Sequence, residues 1–343
     1  MKPFLRFYLL FTLLTFTACS NDDDVNMPAP QGEFDSGTLV LNEGGIGSVT
    51  FISNDYSRVD QQIYTSVNSG EDLGQFVQSM FFDNNDRAYM ISNGSNLITI
   101  VNRFTFEKVG EITANLDVPR YGTVVDGKAY VTNQASFTTN ADDFVSVIDL
   151  DTLETETIIA FDVVVEHIIS DGTKLYVQNS AFGFGSGISV IDPSTNTIEA
   201  ELDTGEALQS ISINANTLYA LNATGIDAID LVSQELLTTK SLPSEISGAK
   251  NLRISNGVLY YTFANSVYQT PLSETVLSSD PFITYDSDSE FGTMYGFEVN
   301  DGLIYLADAT DFASNGFVEI YDLDGNLVFE TEVGLGPNGF YFN

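Results

Sequence analysis

Seven copies of a four-strand unit within 343 residues predict an all-β protein, a seven-bladed β-propeller of four-stranded antiparallel blades. Three observations carry this expectation. A strand ending in tyrosine recurs at intervals of 41, 46, 43, 41 and 45 residues, turn-forming dipeptides sit at a fixed offset before it, and the C-terminal segment has the pattern of a strand missing from the first copy.

The recurring strand occupies Asn85–Tyr89, Asp126–Tyr130, Asp171–Tyr176, Asn216–Tyr219, Asn256–Tyr260 and Asp301–Tyr305, with a degenerate seventh copy at Gly37–Asn42. Asp-Gly and Asn-Gly open three or more of these copies because both residues accept a positive φ, which a tight hairpin turn demands. An alternating second strand follows, as in Val145–Asp149 and Ile188–Asp192. A turn then leads to a third strand such as Thr197–Leu202, and a fourth, such as Ser210–Ile213, feeds the next copy. Nothing outside the N-terminal segment reads as a helix. The first copy lacks its innermost strand, whereas Asn338–Asn343 matches that position. The C-terminal strand is therefore expected to complete the N-terminal blade and close the ring, leaving only short edges exposed. A β-sandwich or an open stack of repeats would not explain the equal periods or the borrowed strand.

Ahead of the ring, Lys2 and Arg6 precede an apolar run from Phe7 to Phe16, too short to span a bilayer and suited to a secretory signal. Residues 1–18 are expected to be that signal, 19–36 an acidic segment and flexible tether, and 37–343 the propeller. The only cysteine, Cys19, follows Thr17 and Ala18. This arrangement resembles a bacterial lipobox, which implies cleavage and acylation (palmitate among the acyl chains) at Cys19; Phe16 departs from the Leu usual in that pattern. Ser20-Asn21-Asp22-Asp23-Asp24 resembles the export signal that sends lipoproteins of the Bacteroidetes to the outer face of the outer membrane.

Composition removes other functions. With 48 Asp and Glu against 12 Lys and Arg, the formal charge is −36, so phosphate backbones and anionic lipid surfaces are repelled, and contact with a membrane is expected through the lipid anchor only. One Cys, one His and no Trp exclude disulfide frameworks, paired-imidazole metal sites and Trp-based docking of quinone cofactors. No Gly-x-Ser-x-Gly elbow, His-Glu-x-x-His or cysteine nucleophile is present. The chain reads as a non-enzyme with no catalytic residues, no metal and no cofactor.

Leu175-Tyr176-Val177 followed by Ser189-Val190-Ile191-Asp192 resembles the YVTN-type propeller repeats of secreted bacterial proteins, and Tyr130-Val131-Thr132-Asn133 reproduces their tetrapeptide. The lipobox, acidic linker and ring together resemble surface lipoproteins that capture cobalamin and pass it to a TonB-dependent outer-membrane transporter. The resemblance implies surface-exposed ligand capture at the outer membrane. Alternatives are a protein-binding scaffold or adhesin, a siderophore or haem capture protein and, last, a lactonase-like enzyme.

In such a ring the loops between second and third strands share a face with the entrances to the innermost strands. Alignment of those entrances places Gln78, Tyr121, Gln209, Lys250, Tyr295 and Asn338 at a funnel mouth, with Arg120 beside Tyr121 and Glu166 and His167 in the third complete repeat. Amide and phenol groups suit the amide-rich edge of a corrin. Residues 133–143, 179–187 and 307–316 form aromatic- and amide-rich loops, from which Phe182 and Phe184 are candidate contacts. His167 could ligate a metal axially, although a lone His at a strand end more often has a structural place. Asp286–Glu290 could meet Ca²⁺ but lacks the loop of an EF-hand, and Asp322–Asn326 reads as a hairpin turn.

Overall fold

A computed structural model describes residues 31–287, 289 and 291–343. The signal segment, Cys19, Asp22–Asp24 and the beginning of the tether lie outside the described residues. The rest forms seven four-stranded antiparallel sheets, the expected propeller. Blade 1 runs, from axis to rim, Pro337–Phe342, Gly37–Asn42, Ser48–Ser53 and Val59–Asp60; blade 2 runs Val77–Phe82, Arg87–Ser92, Leu97–Asn102 and Lys108–Ile112. Blades 3 to 7 repeat the order, with inner strands Pro119–Val125, Ile168–Ser170, Ser210–Asn214, Lys250–Ser255 and Gly296–Asn300.

The local chemistry accounts for the repeat. Asp126-Gly127, Asn256-Gly257 and Asp301-Gly302 all have positive φ, the left-handed pair that matches strand twist in a two-residue hairpin. The recurring tyrosines Tyr89, Tyr130, Tyr176, Tyr260 and Tyr305 are buried. Polar partners satisfy several hydroxyls: Tyr89 donates to Asp83 at 2.9 Å, Tyr176 to Asp171 at 2.9 Å and Tyr130 to Asn196 at 3.0 Å. The aspartate that follows isoleucine at the end of the third strand in blades 3, 4 and 5 caps the next turn. Asp149 accepts from the backbone N–H of Thr152 at 2.7 Å, Asp192 from Ser194 at 2.8 Å and Asp230 from Ser233 at 2.7 Å. Asp322 accepts from Asp324 and Asn326, as its hairpin reading expected.

Seven apolar clusters hold the ring, each joining residues of two consecutive blades; the seventh joins Tyr305, Val318 and Ile320 of blade 7 to Val40, Ile52 and Phe340 of blade 1. A sandwich would have one continuous core between two sheets, whereas a core split at every blade boundary is that of a closed ring. Two local features differ from the sequence reading. A five-residue helix, Ile63–Val67, and a 3₁₀ turn, Asn93–Ser95, interrupt the all-strand pattern. The helix is too short for periodicity to reveal, and tertiary burial of Ile63 and Tyr64 holds it. The tether also ends before residue 36, because Phe34 is buried against Phe51 and Phe106.

The inner strands all start on one face, here called upper, and end on the lower face. The N–H of Phe34 donates to the carbonyl of Phe104, in a lower-face turn, at 2.8 Å. The described chain therefore enters the ring on the lower face, opposite the strand starts that carry the candidate residues.

Candidate functional site

On the upper face a central cavity of about 270 Å³ is lined by Glu43, Gln78, Arg120, Tyr121, Phe182, Tyr295 and Asn338. Four inner strands bring residues at or just before their starts to this cavity, so positions distant in sequence meet there. Six of these seven were expected at the funnel; Glu43 was not. It lies in the loop after Gly37–Asn42, the degenerate repeat, where no tyrosine or turn dipeptide marked the register. Tyr295 donates its hydroxyl hydrogen bond to Glu43, and its ring meets Phe312 edge-on at 4.9 Å.

Arg120, Glu166, Gln78 and Tyr121 form one network, separate from the Tyr295–Glu43 pair. Arg120 donates to Glu166 through Nε at 3.1 Å and Nη2 at 2.7 Å, a bidentate pair with both side chains buried. Its Nη1 donates to Gln78 Oε1 at 2.6 Å, and Gln78 Nε2 donates to the Tyr121 hydroxyl at 3.0 Å. Burial works against the guanidinium charge, but the charge and hydrogen bonds of Glu166 outweigh it, so the pKa of Arg120 rises. Tyr121 and Tyr295 are raised chiefly by burial and are neutral phenols across the physiological range. Asn338 Nδ2 donates to the carbonyls of Val77 and Gln78, both at 3.0 Å, which leaves its buried Oδ1 without a partner among the described residues.

The other expected residues are near the axis but not in this cavity. Glu166 lies beneath it as the counter-ion of Arg120. His167 stacks on Tyr121 with ring centroids 3.8 Å apart; burial, then the charges of Arg253 and Arg120, lower its pKa to about 3, so the imidazole is neutral. Among the described residues no group of three or more His, Cys, Asp or Glu could hold a metal ion. Gln209 Nε2 donates to the carbonyl of Ala207 at 3.2 Å and lies beside Gly183, the residue that follows Phe182 at a hairpin tip. Lys250 lines a separate cavity with Phe263, Asn265 and Phe291, and burial lowers its pKa. Equal position in the repeat therefore does not bring all of the strand entrances into one cavity.

The residues 179–187 form an extended hairpin, not a loop: Leu175–Ala181 and Phe184–Asp192 pair up to Ala181 and Phe184, with Phe182 and Gly183 at the tip. Phe182 has φ 53°, an unusual conformation for a bulky side chain, and is 71 % exposed. Its ring receives the Arg120 guanidinium at 5.5 Å. Phe184, also exposed, lines a side cavity shared with Phe137, Gln134 and Asp143.

Asp143 is buried, and that burial raises its pKa to about 7, with Asp142 and Glu166 raising it further and the N–H of Val165 pulling the other way. The folded chain holds a proton there that the unfolded chain has lost, so stability falls as pH rises from the ordinary carboxyl range through about 7. Asp143→Asn should remove that slope: its melting temperature relative to the parent should be higher at pH 8 than at pH 5. Thermal melts at the two pH values check this, and an equal offset at both would contradict the raised pKa.

Solved structures share the ring. A quinoprotein alcohol dehydrogenase-like protein from Bacteroides thetaiotaomicron superposes with a TM-score of 0.70 at 16 % identity, over 90 % of this chain and 78 % of that one. A functionally unknown protein from Desulfotomaculum acetoxidans gives 0.67 at 10 % identity, over 90 % and 99 %. BamB from Moraxella catarrhalis gives 0.54 at 13 % identity, over 90 % and 86 %. At such identities the likeness establishes the propeller fold alone. No curated protein matches the sequence. The family described as "Domain of unknown function (DUF5074)" matches residues 36–313, most of the ring, and the chain belongs to that family.

Proposed function

We propose that the protein is a non-enzymatic binding propeller that takes its ligand on the upper face, with the Glu43–Arg120–Tyr295 cavity receiving one polar projection of that ligand. The observation that carries this reading is the central cavity itself: donors and acceptors from four blades converge on one point beside an exposed Phe182 from a fifth.

The finer reading is that the ligand is cobalamin, captured at the outer surface of an outer membrane and passed to a TonB-dependent transporter. The unpartnered Asn338 Oδ1 and the phenols match primary-amide edges, and Phe182 offers an apolar face. Entry of the chain on the lower face supports an anchor at Cys19, since a tether leaving there directs the funnel away from the anchoring side. A protein partner is the second reading, and the cavity volume favours it: about 270 Å³ lies at the bottom of the range of pockets that enclose drug-sized molecules and can take one side chain, whereas a corrin would extend well beyond it. Likeness in fold to BamB and to the quinoprotein-like ring suits a ligand-binding or protein-docking role.

Isothermal titration of the full chain with cyanocobalamin separates the two. Under the corrin reading, Tyr121→Ala and Tyr295→Ala should each weaken binding by roughly 1–2 kcal/mol without loss of fold. No heat at micromolar protein would discard cobalamin and leave the protein partner. Binding retained by both variants would keep the ligand and discard this cavity.

A further inference from the structure

The side cavity of about 260 Å³ between blades 3 and 4 is distinct from the central one, although Phe182 touches both. Two buried oxygens on its lining have no partner among the described residues: Asp143 Oδ1 and Gln134 Oε1, on side chains that are 1 % and 3 % exposed. Their orientations are not free. Asp143 Oδ2 accepts the N–H of Val165 at 3.1 Å. Gln134 Nε2 donates to Glu166 Oε2 at 2.6 Å and to the carbonyl of Val165 at 3.2 Å. Both of those partners only accept, so a flipped amide would set oxygen against oxygen, and Oε1 must stay as it is.

Buried acceptors without a hydrogen-bond partner are costly; the proton that burial holds on Asp143 relieves one of them below a pH of about 7, and above it both oxygens call for the same missing component, a donor. Around them stand three phenylalanines that core packing does not require: Phe137 and Phe182, both 71 % exposed, and Phe184, 79 % exposed. Phe137 and Phe182 meet at 6.4 Å with rings 63° apart. Aromatic faces attract cations, and Asp142 and the ionised form of Asp143 supply negative charge; Arg120, whose guanidinium already lies 5.5 Å from the Phe182 ring, is balanced by its pair with Glu166. A neutral aliphatic guest would leave both oxygens unsatisfied, and a quaternary ammonium has no N–H to give them.

We propose that this cavity recognises a primary ammonium group borne on an apolar or aromatic body, the N–H groups meeting Asp143 and Gln134 and the body lying among Phe137, Phe182 and Phe184. The site does not depend on what the central cavity binds. Neither oxygen touches solvent as the rings stand, so binding requires the lining side chains to move outward.

Titration of the full chain with 2-phenylethylammonium, 2-phenylethanol and phenethyltrimethylammonium tests the claim. The primary amine should bind about tenfold or more tightly than either relative, the scale of a charge-assisted hydrogen bond. Nα-acetyllysine amide is the fourth probe; tighter binding of it than of the aryl amine would identify the source as a lysine on a protein, and the reverse a free amine, and either supports the site. Asp143→Asn should lower primary-amine affinity about tenfold. Because that variant also alters the contact with Val165, Phe184→Ala provides a second test on an exposed side chain and should lower affinity about threefold, within the range of one cation–π contact. Equal binding of the alcohol or of the quaternary amine would overturn the proposal, as would no binding of either primary amine at about millimolar concentration. Loss of cobalamin binding has no bearing on these outcomes.

Discussion

Removal of residues 337–343 should abolish cooperative folding, while removal of 20–30 should leave the melting temperature unchanged. The C-terminal segment is the innermost strand of blade 1, where Thr38 pairs with Phe342, Leu39 with Tyr341 and Val40 with Phe340. Its side chains also fasten the neighbouring blades. Phe340 is buried against Tyr305 of blade 7, and the Tyr341 hydroxyl accepts from the N–H of Met80 in blade 2 at 2.8 Å. The last residue acts as a latch: Asn343 Nδ2 donates to the carbonyls of Phe34 at 2.6 Å and Arg103 at 2.9 Å, and Arg103 Nε donates back to Asn343 Oδ1 at 2.7 Å. Without the strand, the edge Gly37–Asn42 loses its partner at the centre of the ring, where unpaired backbone groups and apolar side chains invite non-native pairing. The expected result is aggregation, or a broad melt with no single transition, followed by circular dichroism. A smaller lesion, Phe340→Ala, should cost about 3–5 kcal/mol, as for other buried phenylalanines. Comparable melting of the two truncations would show that closure contributes little.

The ring was legible in the sequence because its cause is local and repeated. Each copy needs a two-residue hairpin with positive φ, so Asp126-Gly127 and Asn256-Gly257 are visible as dipeptides. Each blade boundary needs a large buried side chain, so Tyr89, Tyr130 and Tyr176 recur at the same offset. The Ile63–Val67 helix was not legible, since burial of Ile63 and Tyr64, and no helical period, holds it. The candidate site was half legible. Strand starts are fixed by the repeat, and Gln78, Arg120, Tyr121, Tyr295 and Asn338 all reach the central cavity. Side-chain direction is not fixed by the repeat, and Gln209 and Lys250 do not line that cavity. Glu43, Gln134 and Asp143 lie in second-to-third-strand loops whose length and course differ from blade to blade, so no repeat marks them. Gln134 and Asp143 did stand inside the segment 133–143 singled out for its amides and acids. What the sequence could not show is that burial would leave one oxygen of each without a partner.

The pair at the heart of the site should give an effect as large as the loss of the Phe340 ring. Arg120→Ala should destabilise the ring by about 3–5 kcal/mol, because it strands the Glu166 charge in a place where both side chains are 9 % exposed. Gln134 Nε2 would still donate to Glu166 at 2.6 Å, but one neutral donor does not replace a bidentate guanidinium. The loss should not equal the worth of the pair. Attraction between buried ions is largely offset by the cost of taking both out of water, so Arg120→Leu combined with Glu166→Leu should recover most of the stability lost by the single change. Binding should respond differently. Arg120 also donates to Gln78 Oε1, which in turn leaves Gln78 Nε2 to meet Tyr121, so the double variant restores packing without restoring the polar lining of the cavity. Denaturant titration measures the first effect and ligand titration the second. A single variant that loses less than about 1 kcal/mol would mean that water reaches Glu166 and that the pair behaves as a surface bridge. A double variant that recovers stability and still binds fully would remove Arg120 from the site and leave it a structural residue.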